Sequence, residues 1–315
     1  MSDYMNKLTT KQLKELEEDL NKIYGETTKE VLKRIRRALI DIERATTEED
    51  KQKAIKKLNG LEDLIKRIME DIHNTNLESV KKINKQIIDT FIENQEYGAF
   101  LVEKNTGEQL GWQLYSRDAI KGIMTGESNP FYKLALDEFK DKDIIYRALR
   151  RELIQSIMLG EGIPKIAKRI QNVINRSRYD SIRIARTETT KAENAGRLDA
   201  FKQAKEQGLN IKKKWISTLD NRTRASHIHI NGEVVDLDKN FSNGLDHPGG
   251  NGKASEVINC RCTMGTEFVG FKKTKKEQEL DDQIEAMNNE IKERNITYKQ
   301  WKKERDENAR NKNRK

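Results

Sequence analysis

The chain has 315 residues, of which 35% are hydrophobic and 36% charged, with a mean hydropathy of −0.91 and a formal net charge of +9. That balance excludes one large apolar globule and predicts a modest core carried by long solvated helices. No run reaches the ~18–20 apolar residues that a membrane-spanning helix needs. The first twenty residues hold no apolar secretory core, so a chain that is cytoplasmic when made is expected. The basic excess favours polyanionic partners, although 52 acidic residues dilute it.

In chain order, Leu13, Leu16, Leu20 and Ile23 recur at helical steps, and Gly25 is placed to end that helix. A second helix is expected from Thr27 or Thr28, with Val31, Leu32, Ile35, Leu39 and Ile42 inward. Thr47 and Asp50 resemble a capping box, ahead of stripes through Ile65, Ile68 and Ile72 and then Val80, Ile83 and Ile87, ending near Asn94. Residues 1–94 therefore read as helical arms. Residues 97–115 read as a short hairpin within a linking segment, 95–143. Helix resumes from about Tyr132, and Pro164 opens a further one. Ser177–Gln207 is expected as a long helix with a small-residue face, stopped by Gly208. Strands are expected at 211–216, 233–237 and 264–269. Residues 272–315 form a charged helical tail, partly disordered, with 14 Lys and Arg against 10 Asp and Glu. The fold class is mainly α: helical arms and middle, a small α+β domain over 144–271, and this tail.

Rare side chains gather between Trp215 and Cys262. Three of the four histidines (His227, His229, His247) and both cysteines (Cys260, Cys262) lie there. Three readings stand side by side. In the first, His227, Cys260 and Cys262 bind a structural zinc, with His229 or His247 as fourth ligand, because imidazole and thiolate suit that ion and a small glycine-rich domain benefits from a staple. No cofactor is otherwise indicated. In the second, His227, His229, Asn231 and His247 form a metal-dependent nuclease site, although Asn231-Gly232 reads more simply as a turn between strands. In the third, which the residue pattern favours, Asp220, Arg222 and Arg224 tie a loop to the long helix through Glu188, while Arg186 and Arg261 add ion pairs and His227 and the cysteines pack inside. No phosphate loop or Ser-His-Asp order is present. The Lys212-Lys213-Lys214 run and the Lys272, Lys273, Lys275, Lys276 group are candidate phosphate contacts.

The order Trp215, Thr218, Asp220, Arg222, Thr223, Arg224, His227, Gly232, then Asn259-Cys260-Arg261-Cys262, resembles the minor head (head morphogenesis) proteins of tailed bacteriophages, the phage Mu F-like family. Ala185-Arg186-Thr187-Glu188 is similar to that family's helical Ala-Arg-Thr-Glu element. The resemblance spans roughly 144–269. Where many members carry Pro-Gly-Asp, this chain has His247-Pro248-Gly249-Gly250. The resemblance implies a structural component of the virion near the portal, acting in head assembly or DNA delivery, with portal and head proteins and DNA as partners and no catalysis.

Overall fold

A computed structural model describes residues 4–44, 47, 49–50, 61–113, 146–153, 155–156, 159, 161, 163–271 and 297–312. The elements are α1 (Tyr4–Glu43), α2 (Leu61–Thr106), α3 (Ile163–Glu206), β1 (Leu209–Ile216), α4 (Ala225–His229), β2 (Val234–Asp236), α5 (Ala254–Val257), β3 (Thr263–Phe271) and α6 (Tyr298–Lys312). The fold is mainly α with a small α+β region, as the composition implies. Among the described residues, no helix is long and apolar enough to cross a membrane.

The chain divides into two compact units, one of residues 1–10, 87–117 and 186–315, the other of 11–86 and 118–185. The boundary expected at residue 94 falls inside α2, that at 143 lies outside the described residues, and that at 271 coincides with the end of β3.

The unit of residues 11–86 and 118–185 is helical. Val31, Ile35, Ile65, Ile68, Ile72, Leu149, Leu153, Ile166, Ile170 and Ile174 form its core. Their three- and four-residue spacing places them on one stripe of each helix. The Tyr24 hydroxyl donates to Asn76 Oδ1 at 2.6 Å and lies 2.8 Å from Ser181 Oγ, and Arg34 pairs with Asp71 at 2.9 Å. Gly25 does not end a helix; α1 runs through it unbroken to Glu43. Core packing of Tyr24 and Val31 on either side outweighs the cost of one glycine, about 1 kcal/mol.

The other unit holds the sheet. Its order is β2-β1-β3, antiparallel throughout. β1 alternates strictly: Leu209, Ile211, Lys213 and Trp215 point inward. A bulge between Asn210 and Ile211 sits opposite Gly270, whose φ of 125 only glycine adopts easily. The expected hairpin at 97–115 does not form. Ala99–Val102 belongs to α2, and its apolar run packs on α3 and α6 through Tyr97, Phe100, Ala200 and Trp301. α6 is anchored there by Trp301, buried and donating to Glu103, and by Lys302 on Glu96. Residues 272–296 lie outside the described residues.

Within this unit α2 and α3 approach closely at two glycines. A Cβ on Gly196 would lie 2.4 Å from the Phe91 carbonyl oxygen and 2.9 Å from the Gln95 nitrogen; one on Gly98 would lie 2.9 Å from the Ala200 Cβ. Gly25, by contrast, has nothing within 4 Å of its added Cβ. The two sites therefore respond oppositely to the same change. Gly25→Ala should stabilise by about 0.5–1 kcal/mol through backbone entropy. Gly196→Ala should destabilise by about 1–3 kcal/mol, because backbone must move. Urea unfolding of both variants checks this, and two changes of the same sign would contradict the packing.

Candidate functional site

The site is built where α3 meets the extended backbone from Asn259 to Met264. Asn259 has φ 56, the one non-glycine with positive φ among the described residues. Asparagine tolerates that region better than most residues. The turn it makes sends the Cys-Arg-Cys segment along the helix, and α3 grips it rung by rung. Thr187 Oγ1 accepts the Asn259 N–H at 3.1 Å. Thr190 donates to the Cys260 carbonyl at 2.7 Å and Asn194 to the Cys262 carbonyl at 3.2 Å. Glu193 accepts from the Thr263 hydroxyl at 2.9 Å, and Arg197 donates to the Met264 carbonyl at 3.0 Å. Spacings of three and four along the helix put these side chains on one face.

Arg197 closes the ladder and is fully buried. Its guanidinium also donates to Glu193 and to Asn94 Oδ1, both at 3.0 Å, and stands over the Tyr97 ring. A charge so far from water is tolerated because its partners are fixed and complementary.

The loop after β1 is held against the same segment. Asp220 accepts a two-pronged bond from Arg261 at 2.5 and 2.6 Å. Those bonds hold its carboxyl well below the usual carboxylate range. Thr218 donates to the Arg261 carbonyl, Thr223 to the Thr218 carbonyl and Arg224 to the Ile258 carbonyl. The expected tie from Asp220, Arg222 and Arg224 to Glu188 is thus replaced: Asp220 takes Arg261, Arg224 takes backbone, and Arg222 is exposed, 3.9 Å from Asp220. Burial instead pushes the Glu188 carboxyl up, against the opposing charge of Lys191 on the same helix. Arg186 is exposed on α3. Gly232, with φ 85, turns the chain from α4 into β2, and its N–H donates to the Trp215 carbonyl at 2.9 Å.

Behind this loop lies the histidine–cysteine cluster. Trp215 is fully buried and meets His227 edge-on at 5.1 Å. His227 Nδ1 is 3.7 Å from Cys260 Sγ and 3.4 Å from Cys262 Sγ. Its Nε2 is 3.0 Å from Glu256 Oε2, a carboxylate that also accepts from Ser226 at 2.9 Å. A proton on Nε2, held by Glu256, leaves Nδ1 as a lone pair aimed at the sulfurs. Hydrogen bonding from Cys260, opposed by burial, lowers the Cys262 thiol; the same shared bond, with burial, raises Cys260.

These three side chains are the one group of three or more His, Cys, Asp or Glu residues among the described residues whose atoms are close enough to share an ion. Neither expected fourth ligand joins them. His229 is exposed at the end of α4. His247 is buried elsewhere, with Nδ1 3.0 Å from the Pro248 carbonyl, and burial lowers its imidazole. Asn231 accepts the Ser217 N–H, so the His-Asn-His set of the nuclease reading is not assembled.

Lys213 is corrected as a phosphate contact. Strand alternation turns it inward, where its ammonium donates to the Leu237 carbonyl at 3.0 Å and the Asp246 carbonyl at 2.7 Å, over the Phe241 ring. Burial lowers its ammonium. Lys212 and Lys214 face outward and pair with Asp236 and Glu267. Lys272, Lys273, Lys275 and Lys276 lie outside the described residues.

A long helix clasping a strand of a small antiparallel sheet, with a charged loop locked by Asp220 and Arg261, defines an α+β module. Residues 147–265 match the family described as phage Mu protein F like protein. The chain is similar to the minor head protein GP7 of Bacillus phage SPP1, 28% identical over 214 residues, covering 66% of this chain and 68% of that protein. It is also similar to the NAD(+)–arginine ADP-ribosyltransferase EFV of Enterococcus faecalis, 28% identical over 253 residues. That match takes in 76% of this chain but only 51% of the relative, so the chain spans about half of that protein's length. No solved structure matches the chain.

The raised carboxyl of Glu188 makes a pH-dependent prediction. A carboxylate whose folded pKa lies above its unfolded value destabilises the fold once pH exceeds the unfolded value, about 4.3. Glu188→Gln should therefore raise the melting temperature at neutral pH, and the gain should vanish as pH falls below 4. A gain that is constant across pH would show that charge burial is not its cause.

Proposed function

We propose that this protein is a structural minor head protein, assembled into a phage head near the portal and acting in head assembly or DNA delivery. The observation that carries the reading is the coincidence of the family match over 147–265 with the clasped module: Thr187, Asp220, Asn259 and Arg261 all serve to fix the fold. Similarity to the SPP1 minor head protein over two thirds of both chains supports the same reading. The Enterococcus relative named as a transferase has about half its length outside the match.

Incorporation is tested by mass spectrometry of purified virions before and after DNA release. The chain should be present in full heads. Its absence from every particle would make it a scaffold or an enzyme instead, and transfer of label from NAD⁺ to an arginine acceptor by the purified chain would favour the transferase.

Weak, sequence-independent DNA binding is part of the proposal. It rests on the net charge of +9 and the lysines at 272, 273, 275 and 276. Affinity should fall with salt at a log–log slope of about −0.9 per phosphate contact, with a Kd of roughly 10⁻⁴–10⁻⁶ M. Replacing the four lysines by Gln should flatten the slope, whereas Lys213→Gln should affect folding and leave the slope alone. An anisotropy titration insensitive to salt would refute the electrostatic proposal.

A further inference from the structure

We propose that Nδ1 of His227 and the thiolates of Cys260 and Cys262 are ligands of a bound zinc ion that staples this region of the fold. With Zn–S near 2.3 Å and Zn–N near 2.05 Å, tetrahedral geometry requires S···N separations of about 3.6 Å. The observed values are 3.4 and 3.7 Å, and all three donor atoms lie within 4.8 Å of one another. The donors converge with almost no exposure.

Two further features point to an ion rather than to two packed thiols. Glu256 holds the far nitrogen of His227, the carboxylate–histidine arrangement that orients metal-bound imidazoles. Two thiolates balance the double charge of Zn²⁺, so the buried centre is neutral and escapes the desolvation cost of a net charge.

Binding releases the two thiol protons to solvent while the imidazole keeps its Nε2 proton on Glu256. The ion would join the loop from Trp215 to His229 to the strand that α3 grips, a cross-link between segments some thirty residues apart.

The test uses the full chain without a polyhistidine tag, expressed with zinc present. Elemental analysis should give about one zinc per chain, and chelator should lower the melting temperature. Cobalt substitution should show the visible bands of a tetrahedral ion and thiolate-to-metal charge transfer. Cys262→Ser should lose the metal. Glu256→Gln, which leaves all three ligands in place, should bind about 10–100-fold more weakly. Where Cys262→Ser fails to fold, the wild-type metal content and the Glu256→Gln affinity still decide. Folded wild-type protein with negligible zinc, both thiols free and melting indifferent to chelator would overturn the proposal. So would zinc that persists unchanged in Cys262→Ser, since it would then sit elsewhere. Neither outcome bears on whether the chain enters heads.

Discussion

The unit that carries the sheet depends on one buried guanidinium. Arg197 lies at the end of α3's polar face, and its donors are divided among Glu193 on its own helix, Asn94 on α2 and the Met264 carbonyl on β3. Each partner comes from a different segment, so the charge is satisfied only when helix, helix and strand are together. Breaking a buried pair by removing one partner costs about 3–5 kcal/mol, far more than a surface pair contributes. That cost makes the arrangement cooperative. It also explains why Gly98 and Gly196 flank the same place: α2 must come close enough for Asn94 to reach Arg197, and a Cβ at Gly196 would hold it off.

From that point the remaining features follow in sequence. With Met264 fixed, the ladder of Asn194, Thr190 and Thr187 sets the path of the strand back to Asn259. The path places Cys260 and Cys262 against His227 and turns Arg261 outward to Asp220. The loop from Ser217 to Arg224 is then closed by backbone bonds rather than by a core. A polar network in which every member is bonded fixes a single arrangement more sharply than apolar contact does.

Much of this was legible in the sequence, for identifiable reasons. Strands β1 and β3 follow from the alternation around Ile211–Ile216 and Met264–Val269, and the rare residues of the histidine–cysteine cluster stood out against a charged background. The same alternation carried a fact that the charge run concealed: in Lys212-Lys213-Lys214 the middle residue is on the inner face, as period two requires. The run Ala99–Val102 looked like a strand because four apolar residues alone fit either structure; its helical state is set by packing across Gly98, which no local pattern shows. Gly25 looked like a stop because a glycine ends many helices, but tertiary packing overrode it. The ladder was missed because Thr190, Asn194 and Arg197 belong to no motif, and Thr187 stood out only within the Ala-Arg-Thr-Glu element. Their three- and four-residue spacing beside the small-residue face was the available signal. Glu256 had none, being one acid among many.

The clasp between α3 and the Asn259–Met264 segment is the central claim, and amide hydrogen exchange on the intact chain tests it most directly. If the ladder holds the segment, the amides of Asn259, Cys260 and Met264 should exchange only through the opening that also exposes the middle of α3. Their opening free energies should then agree, and Arg197→Met should lower them together. Fast exchange of the segment while α3 stays protected would contradict the account, because the strand would then be leaving the helix without cost.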